Sequence, residues 1–116
     1  MSDFIYHFKL LPFEVDRIGS WWMRDEEIDL IALGTNLRRC CFIEVKWKDL
    51  GYREALLILD DLKRKSGGFD WQTGNRSDYF AVIAKRIRNA DKDRLRSEGY
   101  IAIDVNDVLN KEAERV

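Results

Sequence analysis

The pattern of apolar and polar positions predicts strands in the first half of the chain. Two mostly apolar, β-branched segments, EIDLIAL at residues 27–33 and CCFIEVKW at residues 40–47, are typical of buried strands. Gly34-Thr35-Asn36 lies between them and predicts a hairpin turn. A weaker alternation from Phe13 to Ile18 predicts an earlier strand that ends in a turn at Gly19-Ser20.

The period becomes helical after residue 51. Leu56, Leu59 and Leu62 recur at a spacing of three, which predicts an amphipathic helix over Tyr52 to Lys65 that ends at Gly67-Gly68. The rest of the pattern predicts a strand at 79–84, a helix at 90–98, a strand at 100–104, and a last helix toward Glu114 capped by Asp104 or Asn106. Three strands followed by alternating helices and strands indicate an α/β fold, a mixed β-sheet core flanked by helices.

Length and charge limit the possible classes of protein but do not identify one. The 116 residues suffice for a single domain over 1–116. The net charge of −1 is not typical of a nucleic-acid binder, although a local basic face matters more than the net charge of the whole chain. The basic segments 63–65 and 85–88 could form such a face or simply be solvated surface.

The cysteines point to a reducing compartment rather than to a metal site. Cys40 and Cys41 are neighbours in a predicted strand, so their side chains point to opposite faces and cannot easily form a disulfide. With one histidine, His7, they do not supply a zinc site. No signal peptide or long apolar run is present, and we expect a cytoplasmic protein.

Two carboxylates and a lysine lie within the two strongest predicted strands. Glu44 and Lys46 are two positions apart and therefore share one face of a strand. A hairpin would bring Asp29 beside Glu44. Carboxylate oxygens suit Mg²⁺ or Mn²⁺, and the carbonyl of Val45 could add a ligand. The alternative is a Glu44–Lys46 ion pair on an exposed sheet face, with Asp29 as an incidental partner.

The chemistry that fits such a group is phosphodiester hydrolysis. A divalent ion lowers the pKa of a bound water and stabilises charge on a phosphate. Lys46 could orient that water or neutralise charge in the transition state.

The sequence also resembles a known superfamily. Three segments carry the likeness: Gly19-Ser20-Trp21-Trp22, residues 27–32 (EIDLIA) and residues 42–47 (FIEVKW). Together they resemble the PD-(D/E)XK nuclease-like superfamily. The nearer likeness is to DUF234, a domain of unknown function at the C-terminus of archaeal and bacterial AAA-type ATPases.

The resemblance implies a restriction-endonuclease-like core. It implies metal ligands at Asp29 and Glu44, a catalytic lysine at Lys46 and a supporting polar residue at Lys63.

One feature departs from that superfamily. Its members usually begin with a helix that carries another acidic residue, and Met1 to Leu11 does not read as that helix. The chain is then either a truncated domain or a small stand-alone version. Glu14 or Glu27 could substitute, because Glu27 lies two positions before Asp29. A sheet face left open would be covered by a partner, with a homodimer as one solution.

The remaining candidates concern nucleic acid. Arg24 and Lys48 are candidate phosphate contacts, with a solvated turn as the alternative for Arg24. Trp21, Trp22 and Trp47 are expected to pack around the site rather than to stack on bases.

Two functions remain as hypotheses. The first is a metal-dependent nuclease-like domain that hydrolyses the phosphodiester bonds of DNA with Mg²⁺ or Mn²⁺. The second is a non-catalytic DNA- or protein-binding regulatory module, fused to or associated with an archaeal-type ATPase.

Overall fold

The computed structural model describes residues 10–114, and the order of elements follows the predicted one. The strands and helices in this range are β1 (Arg17–Met23), β2 (Glu26–Gly34), β3 (Arg39–Leu50), α1 (Tyr52–Ser66), β4 (Ser77–Ile87), α2 (Asn89–Ser97), β5 (Ile101–Ile103) and α3 (Val105–Glu114). The prediction for Met1 to Leu11 lies outside the described residues except at Leu10 and Leu11.

The described strands form a single mixed sheet in the order β1-β2-β3-β4-β5. The first three strands are antiparallel neighbours joined by short turns. The β3–β4 and β4–β5 pairs are parallel. A parallel pair needs a crossover connection, which α1 and α2 supply. The predicted α/β architecture is confirmed.

Each face of the sheet is covered by different elements. On the first face, α1 buries Leu59 and Leu62 against strand residues that include Phe42, and α2 adds Leu95. On the second face, Val108 of α3 and the segment before β1 cover another apolar cluster. Cys40 and Cys41 lie in different clusters, as their adjacent strand positions predict.

The first strand lies later in the chain than the sequence pattern predicts. The predicted strand over Phe13 to Ile18 and the turn at Gly19-Ser20 are wrong, since β1 begins at Arg17 and continues through both residues. Gly19 pairs with Ile31 of β2, and a register shift follows before the next pair. An irregular edge strand accommodates Gly and Ser without turning, because a bulge absorbs the mismatch.

The helix ends follow the predicted signals. Gly67 is the C-cap of α1. At the start of α3, Oδ1 of Asp104 accepts the backbone N–H of Asp107 at 3.2 Å, and Oδ2 of Asp107 accepts that of Asp104 at 2.8 Å. Reciprocal bonds of this kind satisfy two amide groups that the helix leaves without partners. Of the two predicted caps, Asp104 is therefore the one used.

Candidate active site

The site forms where β2 and β3 stop pairing. Their register ends at the Leu30–Ile43 pair, although β3 continues to Leu50. Just beyond that pair, Oδ2 of Asp29 accepts the backbone N–H of Val45 at 2.9 Å. A carboxylate thus satisfies an amide that a strand carbonyl would otherwise satisfy, because a buried N–H needs a partner.

Glu44 and Lys46 lie on β3 beside this contact. The side chain of Glu44 is 16% exposed, and its Oε1 lies 3.7 Å from Nζ of Lys46. Burial raises the pKa of Glu44, and the charge of Asp29 raises it further, while Lys65 and Lys46 lower it. The like charges of Asp29 and Glu44 therefore act on each other, as in sites that gather carboxylates.

Helix α1 directs Lys65 to this side of the sheet. Nζ of Lys65 donates to the carbonyl oxygen of Glu27 at 2.8 Å and lies 3.3 Å from Oδ2 of Asp61. Of the charges that lower the pKa of Glu44, that of Lys65 has the largest effect. Sequence reasoning missed Lys65. The signal was available, because Lys65 follows the buried Leu62 by three positions and so borders the packed face of the helix.

Lys63 points elsewhere, so the structure does not bring this predicted supporting residue to the site. Its Nζ lies 4.7 Å from the ring centroid of Tyr100 and 5.7 Å from that of Phe80. Positions 63 and 65 are separated by about 200° around a helix with 3.6 residues per turn. A lysine on the far side of α1 cannot support Glu44.

Glu27 does not share the face of Asp29 in the way the sequence predicts. That prediction assumed unbroken alternation, and the register shift between β1 and β2 breaks it. Ile28 is fully buried in the core cluster beneath α1, whereas Glu27 is exposed. The contact of Glu27 with Lys65 uses the backbone carbonyl rather than the carboxylate.

The predicted phosphate contacts lie near opposite ends of α1. Arg24 is exposed in the β1–β2 turn at φ 57°, beside the C-terminal end of α1. Lys48 lies near the N-terminal half of α1, where its Nζ is 2.7 Å from Oε2 of Glu54. The contacts of both residues with nucleic acid stay predictions.

The tryptophans divide into two groups. Trp21 packs against the core, with its ring 6.1 Å from that of Phe69. Trp22 is 71% exposed and Trp47 is 63% exposed, so the prediction of packing is wrong for these two.

Neither cysteine is suited to act as a nucleophile. Sγ of Cys40 donates to Oδ1 of Asp78 at 3.2 Å, and burial raises the pKa of this thiol to about 12. Burial also raises the pKa of Cys41. The thiolate is the reactive form, so both groups are inert near neutral pH.

The donor set suits a hard divalent cation but is sparse. Asp29 and Glu44 offer carboxylate oxygens, the kind of ligand that Mg²⁺ takes in ones and twos together with water and phosphate. Within residues 10–114, no group of three or more His, Cys, Asp or Glu side chains is placed to hold a metal. The ligand role of the Val45 carbonyl stays a prediction.

Comparison with known proteins gives a family match over part of the chain and a match of the fold. Residues 3–58 match the family DUF234, described as archaea bacterial proteins of unknown function. An uncharacterized protein of Methanocaldococcus jannaschii is 46% identical over 83 residues, which cover 70% of this chain and 18% of that protein. This chain therefore aligns with less than a fifth of that relative.

A solved structure shares the fold. The crystal structure of a repair endonuclease from Pyrococcus abyssi matches with a TM-score of 0.50 and 12% identity, over 90% of this chain and 45% of that one. At this identity the likeness establishes a nuclease-like fold and no more. In residues 10–114, each helix is too short or too polar to cross a membrane.

Proposed function

Since residues 3–58 match DUF234 and the fold is that of a nuclease-like α/β domain, we propose that this chain hydrolyses the phosphodiester bonds of DNA with a divalent metal. The observation that carries the proposal is the carboxylate of Asp29 held on the N–H of Val45 beside Glu44, itself ion-paired with Lys46. An incidental surface ion pair does not account for the contact between Asp29 and the backbone.

The three side chains have separate roles in this proposal. Asp29 and Glu44 would hold Mg²⁺ or Mn²⁺, which when bound activates water and stabilises charge on phosphate. The Val45 N–H fixes the orientation of Asp29, so this side chain would need little rearrangement to bind the metal. Partial burial leaves Glu44 poorly solvated, which strengthens its attraction to a cation. Lys46, about half exposed, would neutralise negative charge that develops on the phosphate.

The proposal extends to the setting of the domain. The relative from Methanocaldococcus jannaschii is more than five times longer than the aligned part, which supports a domain within a longer protein. An ATPase as the fused or associated partner, a homodimer and a cytoplasmic location remain proposals. The free, buried cysteines are compatible with a reducing compartment.

Plasmid cleavage tests the proposal. Supercoiled DNA is incubated with Mg²⁺ or Mn²⁺ and the wild type, Asp29→Ala, Glu44→Gln or Lys46→Met. Matched controls are Asp93→Asn and Lys85→Met, which change exposed side chains outside the site. We expect each site variant to lose about 100-fold or more in rate, in the range found when one group that stabilises a transition state is removed. Equal cleavage by all six proteins contradicts the proposal.

A second function is favoured by one observation. The described residues do not bring together a third acidic ligand, which suits a module that keeps the fold and part of the site without catalysis. Such a module binds DNA or a protein without metal. Calorimetric titration with Mn²⁺ separates the two functions. Saturable heat that Asp29→Asn abolishes supports the nuclease, and its absence in the wild type supports the module.

A further inference from the structure

Two neighbouring depressions lie around the first two turns of α1, next to the candidate active site. Lys46, Lys48 and Glu54 line the first, which has a volume of about 490 Å³. The second is larger, about 620 Å³, and is lined by Tyr52, Arg53, Arg88, Asp91 and Arg94. Leu57, which is 70% exposed, lines both depressions and lies between them, and the two together are called here the cationic groove.

The cationic groove differs in charge from the chain as a whole. Its lining carries five Lys or Arg side chains and two carboxylates, whereas the net charge of the chain is −1. Lys46 stands at one end, in the candidate active site, and Arg88 and Arg94 stand at the other. Local potential, rather than net charge, determines which ligands a surface attracts. This surface attracts a polyanion.

The cations in the groove are available to a ligand. Arg53 has no ion-pair partner within residues 10–114, and Arg88 is 85% exposed with its Nε 3.5 Å from Oδ2 of Asp91. The pair between Lys48 and Glu54 is also exposed on both sides. Surface pairs of this kind contribute at most about 1 kcal/mol, so a phosphate can replace the carboxylate partner.

Arg94 is held in place more firmly. Its guanidinium carbon lies 3.8 Å from the ring centroid of Tyr52, and its Nε lies 3.7 Å from Oε1 of Glu98, a carboxylate that also accepts from the Tyr52 hydroxyl. A guanidinium fixed over an aromatic ring loses less freedom on binding and presents a planar fork that matches phosphate oxygens. The groove therefore combines one arginine held over an aromatic ring with several exposed cations.

The length of the groove fits a few nucleotides. Residues 52–58 of α1 extend over about 9 Å at 1.5 Å per residue, which corresponds to roughly three base-pair steps of a duplex. Leu57, 70% exposed, lies between the charged groups and offers an apolar contact for a sugar ring. Alternating charged and apolar contacts suit a sugar-phosphate chain better than they suit a small anion.

We propose that the cationic groove binds the sugar-phosphate backbone of the DNA duplex that extends beyond the Asp29–Glu44–Lys46 site. The inference rests on the proposed function for the location of the scissile phosphate. It adds Arg53, Arg88 and Arg94 as phosphate contacts at a distance from the chemistry. An acidic protein segment is the rival occupant, which a direct comparison of binding excludes or establishes.

The test measures binding without cleavage. Fluorescence anisotropy of a labelled DNA duplex is recorded in EDTA over a salt series for the wild type and for Arg53→Gln/Arg88→Gln. Loss of two phosphate contacts should reduce the slope of log affinity against log salt by about 1.8, or roughly 60-fold in affinity at 0.1 M salt. Arg53→Lys/Arg88→Lys keeps both charges and should retain most of the slope.

A matched control changes two arginines at the other end of the sheet. Arg17 pairs with Leu33 and Arg38 ends the β2–β3 turn, so Arg17→Gln/Arg38→Gln removes the same charge away from the groove. We expect this variant to bind duplex like the wild type. An equal loss in both double variants overturns the proposal, because net charge alone would then explain the effect.

The remaining outcomes are equally decisive. No duplex binding by the wild type, or an unchanged slope in Arg53→Gln/Arg88→Gln, overturns the proposal whether or not the protein cleaves DNA. Tighter binding of a poly-glutamate probe than of duplex, lost in the same variant, establishes the acidic-protein occupant. A reduced slope in a protein that does not cleave supports the groove and rejects the proposed nuclease.

Discussion

Asp29 accepts the backbone N–H of Val45 at 2.9 Å, just beyond Leu30 and Ile43, the last paired residues of β2 and β3. The same carboxylate takes the place of a strand carbonyl, and its charge raises the pKa of Glu44. The structural role of Asp29 and its proposed role as a metal ligand use the same carboxylate, and a suitable pair of substitutions separates them.

Asp29→Asn and Asp29→Ala should differ in stability but not in metal response. The amide oxygen of Asn can still accept from Val45, whereas Ala leaves that N–H without its partner at a cost of about 1–3 kcal/mol in the free energy of unfolding. Both remove the charge. Urea denaturation measures the first effect, and the shift of Tm by Mn²⁺ measures the second. Equal stability of the two variants would show that the hydrogen bond contributes nothing.

Glu44→Gln should stabilise the metal-free protein at neutral pH. Burial and the charge of Asp29 raise the pKa of Glu44 in the folded state, so ionising this group costs folding free energy as pH rises above the ordinary value near 4.5. Gln avoids that cost and resembles the protonated form. The advantage of the variant should therefore vanish as pH falls below that value.

Urea denaturation between pH 3.5 and 7, without divalent ions, measures this difference. Asp93→Asn serves as a control that changes an exposed carboxylate, and its effect should stay within about 0.5 kcal/mol. A Gln variant that is less stable than the wild type at pH 7 would mean that the ion pair with Lys46 outweighs the burial of Glu44.

Lys92→Met should be strongly destabilising. Nζ of Lys92 lies 3.1 Å from Oδ1 of Asp104, and both side chains are almost fully buried. Removing one partner of a buried pair leaves the other charge uncompensated and costs about 3–5 kcal/mol. Thermal and urea unfolding measure the loss. The exposed Lys85→Met is the control, and a similar small effect in both variants would contradict the prediction.

The same pair predicts how stability depends on acid. Burial raises the pKa of Asp104, but hydrogen bonds from Ile87, Lys92 and Asp107 outweigh it, and the net effect is to lower that pKa. A lowered acid pKa stabilises the fold above the ordinary value near 3.8, and this contribution disappears as pH falls through the lowered one. In Asp104→Asn, the free energy of unfolding should therefore fall less steeply as pH is lowered below that ordinary value.

Gly34→Ala should be destabilising, whereas Gly19→Ala should be nearly neutral. A Cβ at Gly34 would lie 2.9 Å from the ring of Phe13 and 3.0 Å from the carbonyl oxygen of Glu14, and the backbone atom cannot move away cheaply. Overpacking of this kind costs about 1–3 kcal/mol. Gly19 has no heavy atom within 4 Å of such a Cβ, and differential scanning calorimetry of both variants checks the contrast.

The pattern of apolar residues was sufficient to predict the order of elements because each strong element carries its own period. The strand around Glu44 and the helix around Leu59 are correct for that reason. The first strand was misplaced because Gly19 and Ser20 are turn formers by composition, and only pairing with β2 shows that they are extended. Pairing partners are long-range information that a local pattern lacks.

The residues of the candidate site were predictable only where side chains alternate regularly between the two faces of a strand. Asp29 and Glu44 follow from hairpin geometry, but the irregularity near Ile28 moves Glu27 away from them. Whether the side chain of Lys65 reaches the site depends on the rotation of α1 about its axis. The leucine repeat defines that rotation only to about one residue. The buried contact between Lys92 and Asp104 has no local signal, because the two residues come from different elements.

The early end of the β2–β3 ladder also bears on how the site assembles during folding. Asp29 and Glu44 belong to one hairpin, so the chain closes a single short loop to bring them together. The cost of loop closure grows only with the logarithm of loop length, and hairpins form in microseconds. The parallel strands β4 and β5 require longer crossovers and therefore slower searches. The carboxylate pair belongs to the most local, and thus the most quickly formed, part of the sheet.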